Sequence, residues 1–183
     1  MVLILKVSCE SYIIITKSLA FEGEFGMSYT FKLVGVSGTF DRLHIGHKAL
    51  IRKAFEVAER VMIGLTTDRM TKHKSMAEKI EPYHVRKKKL EAFLEEEGYL
   101  DRAEIISLDD PYGPAVEDSG LEALVATEEV LSTVEKINTI RRKKGLPPLE
   151  VVLVPLVLAQ NGTRISSTRI RKGVIDETGK ILD

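Results

Sequence analysis

An α/β fold, doubly wound around a five-stranded parallel sheet with helices on both faces, is what this sequence predicts. Three observations carry the prediction. Short β-type apolar runs alternate with longer amphipathic stretches from about residue 31 to the end of the chain, and parallel strands need such crossovers, right-handed ones, between them. The 183 residues suit one hydrophobic core, which buries on the order of 70% of the extended chain's surface without a disulfide or structural metal. Finally, 44% hydrophobic against 30% charged residues is the balance of a folded globule rather than a disordered chain.

Taken in order, residues 31–36 (FKLVGV) read as a buried strand, followed by the turn Ser37-Gly38-Thr39 and a loop to His44. A helix is predicted over 46–60, with Leu50, Ala54, Val57 and Val61 at helical spacing. Residues 61–65 form a second strand, and a polar loop over 66–81 leads to a helix that Pro82 starts in its first turn and Gly98 ends. Leu90, Phe93 and Leu94 lie on one face of that helix. Strands follow at 103–108 and 121–126, then a helix over 128–144 with Val130, Val134, Ile137 and Ile140 inward, stopped by Gly145-Leu146-Pro147-Pro148. A fifth strand at 151–156 and a last helix from Ser166 complete the pattern.

Residues 1–26 stand outside this rhythm. Residues 3–5 and 12–15 can pair as a hairpin around Ser8-Cys9-Glu10, and Met27 lies at a sensible distance ahead of the first strand. The segment therefore reads as a hairpin extension or as residues ahead of a mis-set start, with 27–183 as the single functional domain. Neither apolar run is long enough for the core of a signal peptide. The 27 Lys+Arg balance 27 Asp+Glu, which argues against bulk attraction to nucleic acid or to an anionic membrane. No 18 apolar residues run together, so no transmembrane helix is expected. The single cysteine, Cys9, fits a reducing, cytoplasmic setting, and the expected assembly is a monomer or a small homo-oligomer.

The strongest chemical signal is Gly38-Thr39-Phe40-Asp41-Arg42-Leu43-His44-Ile45-Gly46-His47, where the first strand hands over to the first helix. Doubly wound sheets bind ligands at the carboxyl ends of strands, near the switch in strand order. Imidazoles three residues apart share one side of a helical turn. Gly46 lets a base or ribose lie against the backbone. The free N–H groups of the helix start, with roughly half a positive charge, favour phosphate. His44, His47 and the Thr39 hydroxyl can all donate to phosphoryl oxygens. Two ordinary surface histidines are the bland alternative. A zinc site would want the Glu of a metalloprotease helix or a nearby Cys, and has neither, so no protein-held metal is expected.

A second cradle lies at Ile165-Ser166-Ser167-Thr168-Arg169-Ile170-Arg171. Ser166 is a good N-cap, Ser167 and Thr168 put hydroxyls beside free N–H groups, and Arg171 and Arg169 add charge suited to a β,γ-diphosphate. Ser-Ser-Thr before a helix is by itself a common capping signal; two such cradles, each at a strand-to-helix switch, are harder to obtain by accident.

Together these segments resemble the nucleotidylyltransferase superfamily with the His-x-Gly-His signature. Gly-Thr-Phe-Asp ahead of His44-Ile45-Gly46-His47, and Ile-Ser-Ser-Thr-x-Ile-Arg at 165–171, are similar to the archaeal and eukaryotic branch of the phosphopantetheine adenylyltransferase family. The resemblance runs from Phe31 to Arg171. It implies a Rossmann-like fold and adenylyl transfer from ATP to 4′-phosphopantetheine by direct in-line attack, giving dephospho-coenzyme A and pyrophosphate, with Mg²⁺ accompanying the ATP. His47, His44 and Lys74 are implied as catalytic. ATP is implied to meet Gly38, Thr39, Phe40, His44, Gly46, His47, Thr127, Ser166, Ser167, Thr168 and Arg171, and the acceptor Thr39, Asp41, Lys74 and Arg86.

Lys74, ahead of Lys72, matches the lysine that the family carries after the second strand, and Arg86 resembles an arginine on the following helix. A solvated basic loop is the plain alternative. Arg86 to Lys89 and Arg141 to Lys144 otherwise read as solvated helix faces, offset by neighbouring glutamates and lacking the interleaved aromatics of a single-strand platform. Thr127-Glu128-Glu129 departs from the bacterial Arg-Gly-Leu-Arg and matches the other branch; acidic residues in a first helical turn are also favourable by themselves. Phe40, Leu43 and Tyr83 are candidates for the groove of the pantetheine arm, or for core. Pro111-Tyr112-Gly113-Pro114 reads as a turn.

Two competing readings stand beside this one. A cytidylyltransferase for a small phosphate ester shares the first motif, but the glutamate of its usual Arg-Thr-Glu-Gly-Ile-Ser-Thr-Ser/Thr has no counterpart in Asn161-Gly162-Thr163-Arg164-Ile165-Ser166-Ser167-Thr168. A non-catalytic nucleotide-binding module would keep both cradles. Adenylyl transfer requires the two helix tips to converge on one triphosphate.

Overall fold

The computed structural model describes residues 2–6, 12–16, 21–22 and 28–182. Strand β1 (Val2–Lys6) pairs antiparallel with β2 (Tyr12–Thr16), Leu3 opposite Ile15. The proposed turn Ser8-Cys9-Glu10 and Met27 lie outside the described residues. A second small pair joins β3 (Phe21–Glu22) to β4 (Ser28–Tyr29).

The main sheet has the order β7-β6-β5-β8-β9, every pair parallel. It comprises β5 (Phe31–Gly38), β6 (Ala58–Thr66), β7 (Ala103–Leu108), β8 (Ala123–Ala126) and β9 (Glu150–Leu153). β5 is followed on one side by β6 and on the other by β8, so the strand order switches at its carboxyl end, where a doubly wound sheet opens a crevice.

Side-chain alternation assigns the two faces. Val34, Val36, Ala123 and Val125 pack with Ile51, Ala54 and Phe55 of α1 (Ile45–Val57) and with Leu90, Phe93 and Leu94 of α3 (Tyr83–Glu96). Leu33 and Leu124 pack instead with Ile137 of α4 (Leu131–Lys143), Leu121 and Leu149. A single turn, α2 (Asp68–Thr71), follows β6, and α5 (Ser167–Arg171) follows the last strand, capped by Ser166 as expected.

Element boundaries depart from the sequence reading where a side chain supplies what helix or strand would otherwise supply. The helix expected over 46–60 ends at Val57. Ala58 is already extended (φ −132°, ψ 148°) and pairs with Phe31. The buried Arg102 donates to the carbonyls of Phe55 (2.9 Å), Ala58 (2.6 Å) and Glu59 (2.8 Å), satisfying the helix end without another turn. The helix expected over 128–144 starts at Leu131, behind a 3₁₀ turn at Glu128–Val130. Val134 and Ile137 are buried as expected, whereas Val130 is 44% exposed.

The basic runs were expected to be solvated, and in each the leading arginine is not. Arg86 and Arg141 are both fully buried, because main-chain carbonyls that no helix or strand satisfies converge on them.

Candidate active site

The chain leaves β5 through a tight, left-handed path: Phe40 (φ 48°) and Arg42 (φ 52°) occupy a region that costs a non-glycine residue about 1–3 kcal/mol. Arg86 on α3 holds that path in place. Its guanidinium donates to the carbonyls of Thr39 and Thr66 (2.8 Å each) and Glu81 (2.7 Å) and to Asp68 Oδ1 (2.8 Å). Arg86, expected to meet the acceptor, is fully buried behind Thr39, where it clamps the main chain that carries Thr39.

His44 caps α1: its Nδ1 accepts the His47 backbone N–H (3.3 Å), which leaves the proton of the neutral ring on Nε2. The two imidazoles stack at 3.7 Å between centroids and 15° between planes, and His47 stands edge-on to the buried Phe40 at 5.3 Å. Burial lowers the His44 pKa to about 4, against an opposing pull from Asp41. Burial, then the charges of His44 and Lys74, push His47 well below its usual value. Both rings are therefore neutral at pH 7 and can donate one hydrogen bond each without adding charge. A Cβ at Gly46 would lie 3.0 Å from Ile165 Cγ2 and 3.2 Å from the His44 ring. The glycine thus lets the α1 tip press against the segment that leads into α5.

The α5 tip is tied to the α1 tip by Asp41. This carboxylate, 0% exposed, accepts the Glu81 N–H at Oδ1 (2.9 Å) and pairs with Arg171 at Oδ2 (2.5 Å), while its carbonyl accepts the Ser167 hydroxyl (2.8 Å). Asp41, expected to meet the acceptor, lines the cleft, and its two side-chain oxygens accept from protein donors that tie the two helix tips together. Arg171 also donates to the Ser75 carbonyl (3.0 Å) and the Thr168 hydroxyl (3.1 Å). Its Nε is buried without a partner, as is Nδ1 of His47.

Lys74 reaches in from the loop after β6 and donates to Thr39 Oγ1 (2.5 Å), which also accepts from Thr66 Oγ1 (3.3 Å). Burial, then the charges of Arg171 and Arg86, lower its pKa. Lys72, the second choice for this role, is outside the lining.

These groups share one cleft of about 530 Å³, lined by Gly38, Thr39, Phe40, His44, Gly46, His47, Lys74, Thr127, Ser166, Ser167, Thr168 and Arg171. The volume is within the range of small-ligand sites. The two helix tips therefore meet in one cavity. The sequence did not single out the main chain after β9, residues 155–157; Glu129, read with Thr127 and Glu128 as a branch-specific motif or a favourable helix start, lines the cleft and forms an ion pair with Arg164.

An apolar groove of about 330 Å³ adjoins the cleft and shares Thr39, Lys74, Leu50 and Thr127 with it. It runs over Gly35 and Gly64 between Leu108, Tyr112, Leu121, Leu124 and Ile137. Of the three residues offered for the arm's groove or for core, Phe40 is in the core and also lines the cleft, and Leu43 and Tyr83 pack, partly buried, against the core. The turn Pro111-Tyr112-Gly113-Pro114 supplies a wall of this groove. Its position after the third strand, at the ligand-binding end of the sheet, was the signal that could have found it. Among the described residues there is no cluster of three or more metal-ligating side chains, and no helix is long and apolar enough to cross a membrane.

Known proteins share this chain's sequence and fold. The family described as cytidylyltransferase-like matches residues 36–173. A phosphopantetheine adenylyltransferase of Pyrococcus abyssi is 48% identical over 81% of this chain and 94% of its own length. That of Methanothermobacter thermautotrophicus is 44% identical over 85% and 93%. The crystal structure of a protein of unknown function from Archaeoglobus fulgidus superposes with a TM-score of 0.59 at 30% identity, over 66% of this chain and 96% of that one. The chain belongs to the phosphopantetheine adenylyltransferases, within the cytidylyltransferase-like family.

Proposed function

We propose that this protein transfers the adenylyl group of ATP to 4′-phosphopantetheine in the cytoplasm, releasing pyrophosphate and forming dephospho-coenzyme A. The observation that carries the reading is the convergence of the α1 and α5 tips on one cleft, with Lys74 and Thr39 at its junction with an apolar groove. The groove suits the uncharged acceptor arm, the junction its phosphate, and the cleft a triphosphate.

An oxygen of the acceptor phosphate attacks the α-phosphorus, and the bond from that phosphorus to the pyrophosphate oxygen breaks. The nucleophile has a second pKa near 6 and is mostly dianionic at pH 7, so no general base is needed. The obstacle is electrostatic: two like charges 4 Å apart cost about 4 kcal/mol at an effective dielectric of 20. Positioning and neutralisation are what the protein contributes. Lys74 and the Thr39 hydroxyl orient the acceptor phosphate. His47, with His44 stacked against it, donates to the α-phosphoryl oxygens as charge migrates across them. The Ser166 and Thr168 hydroxyls and Arg171, with the free N–H groups of α5, that of Ser167 among them, receive the leaving pyrophosphate. Arg171 Nε, buried and unpartnered, is a donor still to be used.

Mg²⁺ enters with ATP as part of the nucleotide substrate. The carboxylates lining the cleft, Asp41 and Glu129, are engaged by Arg171 and Arg164, so the ion would rest mainly on phosphate oxygens and water. Pyrophosphate release measured with ATP or CTP, each with and without 4′-phosphopantetheine, tests the reading. ATP should support release only when the acceptor is present. Preference for CTP would favour the cytidylyltransferase reading, and binding without release a non-catalytic module.

A further inference from the structure

Arg141, near the end of α4, is fully buried and takes no part in the chemistry above. Its hydrogen bonds run to main-chain carbonyls: Nε to Pro147 (2.7 Å), Nη1 to Ala115 and Asp118 (2.8 Å each), and Nη2, more weakly, toward Leu121 (3.5 Å). Desolvating a guanidinium is costly unless its N–H groups find acceptors, and an irregular segment needs donors for its carbonyls. Both needs are met together here. The consequence is that residues 115–121 are fastened to α4.

That segment is a wall of the apolar groove. Ala115 and Leu121 line it together with Tyr112 and Pro114, and Ile137, one turn before Arg141 on the same helix, lines it from α4. Regular structure in the wall is limited to a 3₁₀ turn, Gly113–Val116, so strand or helix ladders do not fix its distance from the floor. Floor and wall meet closely at Leu108: a Cβ at Gly64 in the floor would lie 2.5 Å from its Cδ1, and one at Gly113 in the wall 2.4 Å from its Cδ2. We infer that Arg141 is a positioning residue for the acceptor, setting the width of the groove that takes the pantetheine arm by holding the 115–121 main chain against α4. A lysine cannot substitute, because one ammonium lacks the planar fork that reaches several carbonyls at once.

The inference rests on the groove being the acceptor site, and the test separates the two. Calorimetric titration of the full chain with 4′-phosphopantetheine, and separately with the non-transferable nucleotide α,β-methylene-ATP, is carried out on wild type and Arg141→Lys. Acceptor affinity should fall about tenfold, the scale expected when a binding wall shifts by a fraction of an ångström, with nucleotide affinity changed less than twofold. Steady-state KM values should split the same way. Lys144→Ala, which removes an exposed tie to Glu117 in the same segment (2.8 Å), should reproduce the split at about threefold and covers the case in which Arg141→Lys does not fold. Equal loss for both ligands, or unchanged acceptor affinity, overturns the inference alone. A wild-type chain that binds no 4′-phosphopantetheine overturns the functional reading and the inference with it.

Discussion

Asp41 and Arg171, 130 residues apart in sequence, form a buried ion pair at 2.5 Å with side chains 0% and 4% exposed. One comes from the loop that enters α1, the other from the end of α5, so the pair joins the two helix tips into a single unit. The Ser167 hydroxyl on the Asp41 carbonyl adds a second tie.

Breaking that pair from one side should therefore cost both stability and activity. Removing one partner of a buried, hydrogen-bonded pair typically costs about 3–5 kcal/mol, which for a chain of this size lowers Tm by roughly 10 °C. Asp41→Asn is expected to show that loss in thermal unfolding, together with lower kcat/KM for both substrates. The double variant Asp41→Asn/Arg171→Met should regain part of the stability and none of the activity. Wild-type activity in the double variant would show that the pair serves folding only.

His47→Ala should lower kcat about 10²–10³-fold, the usual loss on removing one donor aimed at developing charge. ATP affinity, measured directly, should change only a few-fold. Turnover at the wild-type rate would remove His47 from the mechanism.

Lys74→Ala should act mainly on the acceptor. Lys74 is hydrogen-bonded to Thr39 at the junction of cleft and groove, so KM for 4′-phosphopantetheine should rise about tenfold or more while KM for ATP moves little. A selective ATP defect would transfer this lysine to the nucleotide.

The histidine pair makes stability fall in mild acid. The folded pKa of His44 is about 4 against roughly 6.5 in an unfolded chain, so between those values the unfolded state binds more protons. Stability from this group is fully present above about pH 6.5 and is lost as pH falls toward 4, at most ~3 kcal/mol in all. His47 shifts in the same direction. His44→Asn keeps a side chain able to cap α1 and should flatten the fall in denaturant-derived stability from pH 6.5 to 4.5. An unchanged pH slope in that variant would place the acid sensitivity elsewhere.

The fold was legible because its signals are local: apolar runs of strand length, amphipathic stretches and turn residues recur along the chain, and the sheet follows from how such units pack. The histidine tip and the Ser-Ser-Thr cap were legible for the same reason, each being a short motif at a strand-to-helix switch. Arg86, Arg102 and Arg141 were not. In sequence they are charges near other charges, and only the carbonyls gathered around them, from segments up to 47 residues away, show that they are buried. Asp41 lies within a readable motif, yet its partner lies near the end of the chain.

By itself the sequence determined an α/β doubly wound chain with two capped helix starts, at His44 and Ser166, since helix caps and strand periodicity are properties of neighbouring residues. The tertiary structure decided that both starts open into one cleft, that an apolar groove adjoins it at Lys74, and which charged residues are buried against main-chain carbonyls or against each other. Those outcomes depend on contacts between distant segments, where the cost of burying a charge is met only by partners that no local pattern reveals.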